Sequence, residues 1–179
     1  MKPISAALLG VAGTLGVLGI GAALFVESGL YNMGADDHHT KPVFAIIEQL
    51  RERSIAAHAR GIPIPSDLAS DTRITAGAQR YTKLCVGCHL APGVAHSEIR
   101  TGLYPHPPNL AQADLGDARK TFWVIKHGLK MSAMPAWGKT LDDAEVWDLV
   151  AFVQEMPRIT AERYQGISTE PTGLVETAH

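Results

Sequence analysis

The sequence predicts an all-α protein, with one N-terminal transmembrane helix in front of a small helical domain. Three observations carry this. Residues Ile4 to Val26 form 23 consecutive positions without a charge. Downstream, apolar residues recur at three- and four-residue spacing behind residues that cap helices well. The chain has only two cysteines, Cys85 and Cys88, and His89 follows the second directly.

The uncharged run, built as a helix at ~1.5 Å per residue, spans ~34 Å, enough for a ~30 Å hydrocarbon core. A cleaved signal peptide is the alternative. Its apolar region is usually only ~7–15 residues long, although Gly21-Ala22-Ala23 is small enough for a cleavage site. Lys2 precedes the run and Glu27 follows it. The positive-inside tendency therefore leaves the N-terminus in the cytoplasm and sends the remainder across. Gly10, Gly13, Gly16 and Gly19 recur every third residue. They either let another membrane helix approach closely or reflect the tolerance of membrane helices for glycine.

Between the anchor (1–27) and the domain, residues 28–70 form a juxtamembrane linker. Thr40 can cap a helix that has Pro42 in its first turn, and Val43, Ile46, Ile47 and Leu50 lie on one face. This amphipathic helix stops near Gly61, before Ile62-Pro63-Ile64-Pro65. Its stripe must be buried against its own domain or a partner. Asp36, Asp37, His38 and His39 read as a polar turn, since no further ligand stands at a metal-binding spacing.

Composition removes several classes. With 16 basic and 18 acidic residues the net charge is −2, which argues against nucleic acid as a partner. An apolar fraction of 46% argues against disorder. Two cysteines make neither a disulfide-dense scaffold nor a four-thiolate zinc site.

Cys85-Val86-Gly87-Cys88-His89 is C-x-x-C-H, the pattern of c-type haem attachment. Each thiol can add to a haem vinyl group as a thioether, and the gap sets the sulfurs about one helical turn apart. His89 is then held beneath the iron as a ligand. A redox C-x-x-C has no need of the histidine. The opposite face of the iron calls for a thioether. Met134 stands 45 residues after His89, in Met134-Pro135-Ala136-Trp137. Its proline stiffens the loop that presents it.

Here the sequence resembles the single-haem class I c-type cytochromes, over about Asp71 to Met156. Gly77, Tyr81 and Cys85 stand four apart, like the family's Gly-x-x-x-aromatic on the N-terminal helix. Pro108-Asn109-Leu110 is similar to the family's Pro-Asn-Leu, whose proline carbonyl accepts the second N–H of the axial histidine. Met134-Pro135-Ala136-Trp137 resembles the ligand loop, and Leu149-Val150-Ala151-Phe152-Val153 the C-terminal helix that crosses the first. The resemblance implies a cytochrome c domain over 71–157, with N- and C-terminal helices crossing around one covalent haem c. A C-terminal tail, 158–179, follows it.

The residues agree with this reading. Asp71 or Thr72 can cap the first helix, and Thr140 or Asp142 the last. Gly77 allows close approach, with Tyr81 and Phe152 filling the contact. Arg119 to His127 reads as a third helix with Phe122, Trp123 and Ile125 inward, closed by His127 before Gly128. So small a domain has a thin core, and haem supplies the missing buried surface.

Met131 competes with Met134, and the proline-aromatic context favours Met134. Trp123 and Trp137 are expected against the porphyrin with Pro108 and Leu110. His58, His96, His106 and His179 read as surface residues. The proline-punctuated loop 91–107 either carries partner contacts or wraps the haem edge. Five cations and no carboxylate lie between Ala118 and Leu141, and Lys126, Lys130 and Lys139 can ring the haem edge for docking.

A haem iron closed by His and Met has no open position, which implies one-electron transfer rather than catalysis. The expected protein is a membrane-tethered carrier of a respiratory chain. It passes electrons from a quinol-oxidising complex or dehydrogenase to a terminal oxidase, with its haem domain in the periplasm at a bacterial inner membrane. The alternative is a fixed haem c subunit of a larger membrane oxidoreductase.

Overall fold

The computed structural model describes residues 3–169. Lys2, which set the expected orientation, lies outside the described residues, as do residues 170–179 of the expected tail, His179 among them. The chain divides into two compact units, one ending at Asp37 and one beginning at His38.

In the first unit, α1 (Pro3–Glu27) is a single helix, and its Ala7–Glu27 stretch is long and apolar enough to cross a bilayer. A Cβ built on Gly10, Gly13, Gly16 or Gly19 meets nothing within 4 Å, so none of the four is required for a close approach among the described residues. Gly29, at φ +64°, turns the chain out of the helix.

The second unit opens with α2 (Lys41–His58). Thr40 occupies the cap position without a side-chain cap bond, and Pro42 starts the helix where its missing N–H costs nothing. Only the C-terminal end of α2 is buried in the unit, through Ile55 and Ala59, next to α6 (Ala118–His127). Ile46 and Leu50, on the predicted apolar stripe, are 67% and 66% exposed.

Helix α3 (Asp71–Leu84) begins at Ser70 rather than Asp71 or Thr72. The Ser70 hydroxyl accepts from the Arg73 N–H at 3.4 Å, and the two expected caps are already helical. Helix α7 (Asp143–Glu155) is capped by Asp142, not Thr140. The Asp142 carboxylate accepts from the Glu145 N–H at 2.8 Å, and Glu145 accepts in return from the Asp142 N–H at 3.0 Å.

Helices α3 and α7 meet at Gly77, where their backbones touch. Beside it the Tyr81 and Phe152 rings lie 5.1 Å apart. Arg73 and Arg80, two turns apart on α3, each hold one oxygen of Asp148 on α7, at 2.8 and 3.1 Å. Val146, Leu149, Val150 and Val153 fill the rest of that face of α7. Trp147, unremarked in the sequence, is buried and stacked on Phe122 of α6 at 4.3 Å.

The folded unit runs past 157. Met156–Arg158 forms a 3-10 turn and Ala161–Thr169 forms a helix. Tyr164 stacks on Phe152 at 5.8 Å and shares a 2.7 Å hydrogen bond with the Thr82 hydroxyl on α3. Residues expected as tail therefore close one side of the core, through Ile159 and Tyr164.

Candidate haem-binding site

The site is built where α3 runs out. Cys85 ends that helix, and Val86–His89 adds one further turn, α4. The Cys88 and His89 amides both donate to the Cys85 carbonyl, at 3.0 and 2.9 Å. One turn of helix thus carries both thiols, each free and half-buried, with the imidazole directly behind. Leu90, at φ +60°, stops the turn. Its buried carbonyl accepts from the Tyr81 hydroxyl at 2.6 Å, which bolts the end of the motif to α3.

His89 is oriented from the next loop. Its Nδ1 lies 3.0 Å from the Pro108 carbonyl oxygen. A carbonyl can only accept, so Nδ1 carries the proton and Nε2 keeps its lone pair. The Leu110 amide donates to the His89 carbonyl at 3.1 Å, and the Asn109 side chain accepts from the Ala111 amide at 3.1 Å. Pro108-Asn109-Leu110 is therefore zipped to the histidine at both backbone and ring. Burial lowers the pKa of His89, the Pro108 bond opposes this, and the Arg100 charge adds to the lowering. Burial pushes the Cys85 thiol up to about 12. Neutral imidazole is the form with a lone pair for a metal.

The methionine loop hangs from the end of α6. Gly128, at φ +65°, lies so close to it that a Cβ there would sit 2.7 Å from the Met134 carbonyl oxygen. The Leu129 amide donates to that oxygen at 3.2 Å, and the Met134 amide donates to the Ser132 hydroxyl at 3.2 Å. Ser132 in turn donates to the Leu129 carbonyl at 2.8 Å. Met134 is half-buried and packs on the core, whereas Met131 turns outward at φ +57° and is 71% exposed.

The remaining candidates fall in several places. Trp137 opens the 3-10 turn Trp137–Lys139 and packs on the core, as does Leu110. Trp123 is half-buried between two imidazoles, His58 at 5.5 Å and His127 at 5.1 Å. Lys130 and Lys139 are exposed. Lys126 is not a free charge: it is ion-paired with Asp143 and lies 5.5 Å from the centre of the Phe122 ring. His58, His96 and His106 are exposed, and His127 closes α6 as its capping position suggested.

Two arrangements escaped the sequence reading. Tyr104, in the proline-rich loop, stacks on His38 at 4.6 Å and accepts from the His39 amide at 3.3 Å. Arg100, on the short helix α5 (Glu98–Thr101), donates through Nη2 to the Pro107 carbonyl at 3.0 Å. Its Nε is buried without a partner. Nothing in the spelling of a loop distinguishes a buried arginine from a solvated one. Among the described residues, no three His, Cys, Asp or Glu gather as a metal cluster.

Two thiols on one turn and an imidazole whose free nitrogen is set by a carbonyl fit a haem attached at Cys85-x-x-Cys88. Comparison with known proteins agrees. Residues 72–153, a little under half of the chain, match the family described as cytochrome c oxidase, cbb3-type, subunit III. Curated proteins and solved structures give no match. Residues 72–153 are a c-type cytochrome domain, which implies covalently bound haem c and supports a role in electron transfer, and the apolar helix in front of it is consistent with a membrane anchor.

Proposed function

We propose that Cys85 and Cys88 hold a single haem c through thioethers, with His89 Nε2 and Met134 as the axial ligands of its iron. The hydrogen bond from His89 Nδ1–H to the Pro108 carbonyl carries this reading, because it leaves the lone pair of the other ring nitrogen available to a metal. Exposure of Met131 and burial of Met134 support the choice of sulfur. Pro108, Leu110, Trp123 and Trp137 are assigned to the pocket, and Lys130 and Lys139, with Lys126 at the rim, to partner docking. When bound, the haem supplies one iron that cycles between Fe(II) and Fe(III). The thioether and an apolar wall raise its potential.

The chain works as a membrane-tethered one-electron carrier of a respiratory chain. It takes electrons from a quinol-oxidising complex or dehydrogenase and gives them to a terminal oxidase. Residues 1–27 are its anchor in a bacterial inner membrane, with the N-terminus cytoplasmic and the cytochrome domain (71–157) periplasmic. Tethering raises the effective concentration of the domain near membrane partners. A second reading, a fixed haem c subunit of a larger oxidoreductase, is favoured by two observations. The matched family is described as an oxidase subunit, and Ile46 and Leu50 leave an apolar stripe on α2 uncovered.

Acid–acetone extraction tests the attachment: haem is expected to stay on the denatured chain, and a chain of apo mass ends the proposal. Purification of the full chain in mild detergent separates the two roles. A carrier leaves its neighbours, and a subunit stays with them at fixed stoichiometry.

A further inference from the structure

We propose that α2 is an interfacial helix, whose uncovered apolar stripe lies on the anionic lipid surface of the membrane that α1 enters. The inference rests on the reading of α1 as an anchor.

The stripe faces away from the domain. At about 3.6 residues per turn, Val43, Ile46, Leu50 and Ala57 share one side of α2. Ile55, which docks the helix, follows Ile46 by about two and a half turns and so points the other way. Ile46, Leu50 and Ala57 are exposed, and Val43 is half-buried.

The charges around the stripe decide what covers it. Glu48 and Glu52 lie on the opposite side of the helix, and Arg51 binds both, at 3.3 and 3.2 Å. Arg53 borders the stripe and Arg60 follows the helix end. Both are exposed, and neither is ion-paired among the described residues. Residues 41–60 hold four cations and two carboxylates, in a chain whose net charge is −2. An apolar stripe edged by arginine, with its carboxylates turned away, suits a helix lying in a headgroup layer. The stripe enters the acyl boundary, and the long arginine side chains reach lipid phosphates. A protein partner would have to be recruited to the stripe, whereas the bilayer is tethered to it. Only thirteen residues, 28–40, separate α1 from α2, a reach of at most ~47 Å. So short a tether keeps lipid at a high effective concentration. Docked beside α6 through Ile55 and Ala59, α2 then fixes which side of the domain meets the membrane.

The test uses the full chain in vesicles of phosphatidylcholine and phosphatidylglycerol, with a photoreactive benzophenone side chain placed at Ile46, Leu50 or Glu48 in turn. Ile46 and Leu50 are exposed, so the added rings need no room in the core. Flotation of the wild-type chain with the vesicles is read first. A chain that does not float overturns the anchor, and the inference with it. In a chain that floats, illumination should give lipid adducts from 46 and 50 about tenfold above those from 48, which faces water. Arg53→Glu together with Arg60→Glu should lower the yield several-fold while the chain still floats. Omitting phosphatidylglycerol should do the same to the chain with both arginines in place. Lipid adducts that neither change reduces overturn the anionic surface as the occupant. A yield at 46 and 50 no higher than at 48, in a chain that floats, overturns the proposal and leaves the anchor standing. Adducts with protein in place of lipid, whether a second copy or another subunit, give the stripe to a partner and overturn it as well.

Discussion

A methyl group placed on Gly77 would lie 2.0 Å from the main-chain oxygen of Asp148 and 2.8 Å from Cβ of Phe152. The obstacle is backbone, so no rotamer change relieves it. Gly77→Ala should therefore force α3 and α7 apart, separate Tyr81 from Phe152 and cost about 3 kcal/mol, the upper end of ordinary overpacking. Urea unfolding of the holoprotein measures it. A loss within ~0.5 kcal/mol would show that the helices slide past the clash.

Tyr81 predicts an alkaline limit to stability. Burial, followed by smaller electrostatic effects from Cys85, Tyr164 and Cys88, raises its phenol well above the ordinary value of 10. In the haem-bound protein the cysteine contributions vanish and burial remains. As pH rises past 10 the unfolded chain gives up a proton that the folded chain keeps. The contribution is therefore complete below pH 10 and declines above it, by at most about 1.4 kcal/mol per pH unit. Tyr81→Phe should flatten that slope. It should also cost about 1–3 kcal/mol at pH 7, because the buried Leu90 carbonyl loses its donor. Equal slopes in the two proteins between pH 10 and 11.5 would remove Tyr81 from the account.

The sulfur assignment is tested in ferric spectra. Met134→Ala should abolish the weak long-wavelength absorption of an iron–thioether bond and lower the potential, and Met131→Ala should do neither. The reverse pattern would move the ligand to the exposed side of the loop.

Steering is expected to come chiefly from Lys130 and Lys139, because the charge of Lys126 is already met by Asp143. Replacing Lys130 and Lys139 with glutamate should slow electron transfer to a membrane partner at low salt, and much less near ~1 M. Lys126→Gln should change the rate less than either. A low-salt rate unmoved by the double replacement would direct docking to the 91–107 loop or to α2.

Much of the architecture was legible in the sequence because it is written locally. The haem motif is five adjacent residues, and the crossing helices announce themselves through Gly77, Tyr81, Leu149 and Phe152 at helical spacing. The cap of α3 lies one or two residues before the expected Asp71 or Thr72, since Ser70, Asp71 and Thr72 are all good caps and only backbone geometry decides. The helix Ala161–Thr169 was not foreseen because its anchoring rests on Ile159 and Tyr164, too few apolar residues to make a periodic signal. The Lys126–Asp143 pair joins separate elements 17 residues apart, and the isolation of Arg100 is a matter of burial. Neither leaves a trace in spacing.

The grip of Tyr104 on His38 and His39 sets the length of the leash. A linker counted from the end of the anchor to the start of α3 would let the cytochrome domain roam more than ~100 Å from its attachment. With α2 docked through Ile55 and Ala59, and the residues before it fastened to Tyr104, only residues 28–37 lie between the anchor and the fastened segment. Ten residues extend to at most ~36 Å. In the proposed tethered role, the traffic of electrons is then governed by how often two proteins meet while drifting in the plane of the membrane.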